Sequence, residues 1–348
     1  GSTYVAYLFA HDDQSFGDNS DESIIKCGSF TTDSNGDFSV NLGFEPQWLL
    51  WKRTDGSQPW YMVDVMRGFP VTAAPVYLQA QSSAAEFTGG GYFLTNTGFG
   101  ASGITSSANY IYIAIRRPMK TPEAGTEVFS PITSTGTGSA RTLSGTFPTD
   151  LTFMHQREAT DDGRTFAWDR LRGKSSMLQL TNTSAEAGIT GVGFDVQNGL
   201  DLTDSGFSNY NTAPYITYLF KRAAGFFDVV AYTGNGSASG QVINHNLTTT
   251  PEMIIIKGRS NSGRQWHTYV ASQGQDKALF IESNGAEQAN TAFVGGTINS
   301  TQFELKVDFG NVNGNGETYI AYLFATLAGV SKVGSYTGTG SDLNVDCG

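Results

Sequence analysis

One strand-like octapeptide occurs near both ends of the chain: residues 3–10 read TYVAYLFA and residues 318–325 read TYIAYLFA. Related segments fall between them, YIYIAIRR at 110–117 and YITYLFKR at 215–222. Tyr4 and Tyr319 lie 315 residues apart, or three units of 105. A repeat of fixed period constrains the fold more than any other feature, because every copy must build the same unit.

Other landmarks keep their order inside each unit. A turn-rich opening (28–41, 134–145, 232–245) leads to a proline and an apolar run: Pro46 then WLLWK, Pro148 then LTFM, Pro251 then MIIIK. An aromatic segment follows with Trp60, Phe166 and Trp168, or Trp266. In the first two units it ends in Asp64-x-x-Arg67-Gly68 and Asp169-x-x-Arg172-Gly173, an ending the third lacks. Next come Ala85-Glu86, Ala185-Glu186 and Ala286-Glu287, then GYFL, VGFDV or FELKV, an Asn/Gly-rich turn and the closing Tyr strand.

These segments predict strands. In 60–66, Trp60, Met62, Asp64 and Met66 share one face of a period-two pattern, and Tyr61, Val63 and Val65 share the other. The runs 48–51 and 253–256 are apolar at four consecutive positions, which suits a strand covered on both faces. Asn35-Gly36 predicts a hairpin between 29–32 and 37–41, since type I′ turns need positive φ at both central residues. Nothing sustains a capped 3.6-residue apolar period. The 42 glycines have no Gly-x-y period, which excludes collagen and implies many turns. The expected architecture is all-β, a tandem array of three β-sandwiches of jelly-roll or concanavalin-like type with partial modules at both ends. Trp48, Leu50, Trp60 and Phe93 are expected in the first core, and Ile254, Ile256, Trp266 and Phe303 in the third.

Composition shifts place the boundaries. Residues 1–22 hold a closing strand and an acidic linker, 23–119 the first module, 120–127 a linker, 128–224 the second module, 225–328 the third and 329–348 an opening hairpin. Residues 1–10 align with 316–325 and residues 332–348 with 26–43, so the expectation is a window on a longer array, or terminal pieces completing a module shared between chains. In that alignment Cys347 matches Leu42 and stands opposite Val333, which argues against a bridge to Cys27.

Charge and hydropathy exclude several classes. With 21 Lys and Arg against 32 Asp and Glu, the net charge of −11 repels phosphate backbones, so no nucleic-acid partner is expected. No apolar run reaches the roughly 18–20 residues of a helical membrane span. The two cysteines lack a CxxC or histidine neighbours, which excludes a zinc or redox motif built on them.

The ordered set of landmarks resembles tandem modules of bacteriophage tail-fibre and tail-tip proteins, most clearly in NVNGNGETYIAYLFA at 311–325 and in the segment 64–68. The resemblance covers nearly the whole chain in three copies. It implies concanavalin-like sandwiches in a structural or adhesive virion component, extracellular, in contact with other fibre subunits and a host-surface glycan or receptor. It also implies a homo-oligomer, trimers being common in such fibres. The second unit departs from the pattern with Thr152 and His155 where the others have apolar and basic residues, which suggests a specialised surface there.

The sequence offers no recognisable catalytic set. Gly98 to Gly103 matches GxGxxG, but Ser, Thr and another strand follow it, not a helix N-terminus to hold pyrophosphate. His11, His155, His245 and His267 occupy different places in different modules, and neither GxSxG nor HExxH occurs. Asp161 with Asp162, Asp195, and Glu304 with Asp308 are carboxylates of the kind glycosidases pair. The first two sit in a polar turn, and Lys306 lies between the last two on one strand face. Asp64, Arg67, Asp169 and Arg172 read as structural ion pairs, a carboxylate accepting the fork of an Arg three residues on while Gly68 or Gly173 makes the turn. Calcium is the one cofactor the sequence leaves open, through the oxygen-rich Asp12, Asp13, Asp18, Asp21 and Glu22 and the turn Asp33 to Asp37. The resulting expectation is a non-enzymatic structural and adhesive chain. The competing expectations are a polysaccharide-degrading tail enzyme and a cellular extracellular filament or adhesin.

Overall fold

The computed structural model describes residues 2–17, 20, 22–72, 74–158, 165–203, 207–306 and 310–347. Short apolar runs rich in β-branched and aromatic residues, punctuated by turns, produce an all-β chain. Among the described residues the helical segments are two 3-10 turns, Gly125–Glu127 and Ala271–Gln273, and no helix is long and apolar enough to cross a membrane. The chain divides into two compact units, residues 1–118 and 119–348. The first repeat forms one, and the second and third share the other.

In the first unit a six-stranded antiparallel sheet runs, in spatial order, Ile25–Thr31, Asn109–Arg116, Pro46–Arg53, Trp60–Asp64, Val76–Gln79 and Phe87–Thr88. Phe38–Asn41, Gly98–Ala101 and Tyr92–Thr95 form a second sheet. Rings join the two: Phe30 stacks on Phe38 at 3.9 Å and Trp51 lies 4.5 Å from Tyr92.

The second repeat copies this order with Phe129–Thr135, Pro214–Phe220, Leu151–Gln156, Thr165–Asp169 and Leu178–Gln179, and with a three-stranded partner sheet. The third does so with Phe227–Thr233, Thr318–Phe324, Met253–Gly258, His267–Val270, Lys277–Phe280 and Gln288–Ala289, and with a two-stranded partner. In every copy the closing Tyr strand is hydrogen-bonded on both edges, to the opening strand and to the strand after the proline. That central place fits its being the most faithful repeat. Each of the last two sandwiches has its own apolar core, one around Trp168 and Leu200, the other around Ile254 and Phe303.

The structure corrects four expectations. In the first core the inward residues are Leu49, Trp51, Val63, Tyr92 and Leu94, whereas Trp48, Leu50 and Phe93 are half-buried and Trp60 is exposed. Four consecutive apolar residues carry no alternation, so the inward pair cannot be read from the run itself, and a slip of one residue exchanges the faces. Counted from the proline, Leu49 and Trp51 match Ile254 and Ile256, which are buried as expected along with Phe303. Trp266 is also fully buried but belongs to the other face, since Ile256 pairs with His267. Asn35-Gly36 makes no hairpin. Only Gly36 has positive φ, and the chain there crosses from one sheet to the other, Cys27 pairing with Ile113 and Asn41 with Gly98. Asp33 holds this arch by accepting the Asn35 and Asp37 amides at 2.8 Å. Finally, Thr152 points into the second core rather than to a surface, its hydroxyl unpartnered. Residues 3–10 and 332–347 form no strand, and Cys27 and Cys347 are free thiols.

Candidate functional site

The Asp-x-x-Arg-Gly ending builds the same small turn twice. After the strand Trp60–Asp64, the Asp64 carboxylate accepts the Arg67 amide at 2.9 Å and the Arg67 Nε at 2.6 Å, while Gly68 takes φ of 131°. After Thr165–Asp169, Asp169 accepts the Arg172 amide at 2.9 Å and its Nε at 2.5 Å, and Gly173 takes φ of 83°. Glycine is required there because a side chain resists that backbone. A glutamate from the Ala-Glu landmark completes each set, Glu86 at 3.5 Å from Arg67 and Glu186 at 3.0 Å from Arg172.

Their surroundings differ. In the second repeat the third covers the set: Tyr322 donates its hydroxyl to Asp169 at 2.8 Å and accepts Arg172 Nη2 at 3.2 Å. Arg259 clasps Glu186 with Nε at 2.8 Å and Nη2 at 3.0 Å. Trp266 donates its indole N–H to the Gln179 carbonyl at 2.9 Å and stacks on Tyr322. The outer faces of the two large sheets thus lie against each other, with Phe220 touching both Phe227 and Phe324 and Phe153 touching Tyr322. Glu186 is 17% exposed, against 51% for Glu86 in the set of the first repeat.

Burial and pairing oppose one another electrostatically here. Burial alone pulls the Arg172 guanidinium down, but Asp169, Tyr322 and Glu186 outweigh it and leave the group firmly charged. Burial pushes Glu186 up, yet Arg259 and Arg172 hold it at about 2. Tyr322 is pushed well up by burial and stays a hydroxyl donor. Buried ion pairs repay their desolvation only when the geometry is good and further hydrogen bonds satisfy the remaining polar atoms, as Tyr322 and Arg259 do here.

A second network joins the same two repeats. Asp150 accepts Arg170 Nε at 3.3 Å and the Arg222 amide at 2.7 Å, and Arg222 Nε binds Asp228 at 2.6 Å, all four residues being buried. Asp228 also accepts the Asn246 amide at 2.8 Å. Sequence reading missed Tyr322, Arg259 and this second set. The available signal was charge next to apolar runs, as in Arg222 and Asp228 flanking AAGFF.

The remaining sequence candidates do not converge. Asp12 pairs with Lys26 at 3.0 Å, Asp13 with Ser15, Glu22 with Arg116 at 2.8 Å, and Asp37 accepts the Gly103 amide at 2.9 Å. Asp18, Asp21, Asp161, Asp162 and Asp308 lie outside the described residues, and Glu304 pairs with Lys306. Among the described residues no three His, Cys, Asp or Glu side chains gather as a metal site would need. His11 accepts the Cys27 amide, His155 bonds Thr165, His245 lies between Leu247 and Asn299, and His267 is buried beside Phe280 and Phe293. None is bonded to a Ser or Cys side chain among the described residues. The GxGxxG glycines Gly98 and Gly100 lie in a strand where added Cβ atoms would meet the Val40 carbonyl at 1.9 Å and the Phe38 carbonyl at 2.8 Å. Sheet packing explains them.

Fold and site together define a class, an all-β tandem-repeat protein in which two sandwiches are joined by buried, fully paired charges. Within it the chain belongs to a particular family, the domain of unknown function DUF7483, whose model matches residues 1–117 and 124–347. No curated protein matches the chain.

Proposed function

We propose that this protein is a non-enzymatic structural and adhesive component of a virion appendage, a phage tail fibre or receptor-binding protein, which presents loops to a glycan or protein on the host surface. One observation carries the reading: the buried interface of the second and third sandwiches spends its charges on paired contacts that hold two modules in one geometry. Such a joint suits a chain that transmits position and load, and loops at the ends of a rigid sandwich are well placed for recognition. The tail-fibre resemblance of the repeat supplies the setting, and exposed Ser, Thr and Asn with aromatic neighbours suit sugar hydroxyls and ring faces.

The test uses the full chain with polysaccharide from the host surface. Retention on the immobilised polymer without new reducing ends is expected, and antibody against the chain should decorate the appendages of intact particles in electron micrographs. Sustained release of reducing ends would overturn the reading in favour of a polysaccharide-degrading tail enzyme. Absence of label from particles would favour a cellular filament or adhesin.

A further inference from the structure

The outer face of the first sandwich carries exposed apolar side chains. Trp60 is 38% and Ile111 41% exposed, and Trp48, Leu50, Met62 and Ile113 beside them are half-buried. Strand pairing places all six on one face, Lys52 standing opposite both Trp60 and Ile111, and Leu50 opposite Met62 and Ile113. Apart from Lys52, which lies between Trp60 and Ile111, the exposed part of this face is apolar, the kind of surface that marks an interaction site. The same face of the second repeat is covered by the same face of the third, and matching residues of the two, Phe220 and Phe324, touch across it. Packing through outer faces is therefore a mode this module already uses.

In that internal pair the groups are divided between partners. The third repeat supplies the donor, Trp266, where the second has Thr165. The second supplies the acceptor, the carbonyl of Gln179 in the strand Leu178–Gln179, where the third has Phe280. The first repeat holds both halves. Trp60 occupies the donor position, its indole N–H without a partner among the described residues, and Leu78-Gln79 repeats Leu178-Gln179 in register, Gln79 opposite Tyr61 as Gln179 is opposite Phe166; the Gln79 carbonyl accepts the Ser82 amide at 3.1 Å with one lone pair, which leaves the other for an incoming donor. A face with donor and acceptor together is self-complementary, as a two-fold interface requires.

We propose that this face is the interface for a second copy of the chain, which docks outer face to outer face so that Trp60 of each copy donates to the Gln79 carbonyl of the other. Ile111, Ile113, Leu50 and Met62 form the apolar centre. The inference does not depend on where the chain acts.

Sedimentation velocity and native mass measurement of the full chain test it. A reversible dimer is expected at concentrations of about 10–100 μM, with a Kd that rises at least ~10-fold in Trp60→Lys and further in Trp60→Lys/Ile111→Lys. Both positions are exposed, so the variants should fold, as an unchanged circular dichroism spectrum would verify. Tyr7→Ser/Leu8→Ser removes apolar side chains from the exposed segment 3–10 and should leave the dimer intact. A chain that stays monomeric across that range, or a dimer abolished by Tyr7→Ser/Leu8→Ser and untouched by Trp60→Lys, would overturn the proposal.

Discussion

Replacing Arg172 by Met asks how much the covered charge network contributes, and the first repeat supplies its own control. The Arg172 side chain is wholly buried and engages Asp169, Glu186, the Ser176 and Ala167 carbonyls and the Tyr322 hydroxyl. Met fills most of the volume but leaves the buried Asp169 without its counter-charge and removes the arginine donors from the Ser176 and Ala167 carbonyls. Breaking a buried pair by removing one partner costs about 3–5 kcal/mol. Arg67→Met removes the matching arginine where Asp64 and Glu86 are reached by water, and partly exposed pairs are worth about 0–1 kcal/mol. Hydrogen exchange followed by mass spectrometry reads the two repeats separately within the full chain. Protection in Thr165–Asp169 and Thr318–Phe324 should fall by at least ~100-fold in Arg172→Met, and protection in Trp60–Asp64 by less than ~10-fold in Arg67→Met. The cycle with Tyr322→Phe should show coupling, because both side chains contact Asp169. Equal small losses in the two arginine variants would refute the argument that the covering sheet, rather than the local turn, gives the network its weight.

Trp266→Ala should lower stability by about 3–5 kcal/mol in urea unfolding, while Trp60→Ala changes it little, since the first indole is fully buried and bonded to Gln179 whereas the second is exposed. Acid should weaken the second unit in two windows. Burial holds His267 at about 4 against an ordinary 6.5, so the unfolded chain takes up a proton that the folded chain refuses and stability falls as pH drops from 6.5 to about 4. Glu186, held at about 2 against 4.5, contributes stability that is complete above 4.5 and lost as pH falls to about 2. Each window is worth up to about 3 kcal/mol, and His267→Leu should flatten only the upper one in urea midpoints taken from pH 7 to 3. Gly98→Ala should destabilise the first unit, read as a lower melting temperature, because its Cβ would meet a carbonyl across the sheet. Duplex DNA should show no shift in low-salt gels, and sub-micromolar binding would contradict the expectation drawn from a charge of −11.

Local features of the molecule were legible from residue order alone. The period of the array shows in the recurrence of the same segments, while the all-β class and the Asp-x-x-Arg-Gly turn depend on neighbours within a few residues, and the turn forms at both Asp64 and Asp169 with the same bonds. Alternation tells the two faces of 60–66 apart, but the four consecutive apolar residues 48–51 carry none, and there the inward pair is Leu49 and Trp51 rather than Trp48 and Leu50. Long-range pairing explains the failed hairpin too, since the opening strand finds its partner at Ile111 and Ile113 rather than across Asn35-Gly36.

What covers an outer face was decided only by tertiary structure. Leu50 and Ile255 hold the same place in their strands and are equally apolar, yet one is half-exposed and the other buried beneath a second sandwich. Trp60 and Trp266 differ in the same way, as do Glu86 and Glu186. A strand encodes the character of its two faces through its own side chains. Burial of the outer one, and with it the value of every charge placed there, depends on water being displaced by a surface encoded up to about 150 residues away, as Asp169 and Tyr322 are.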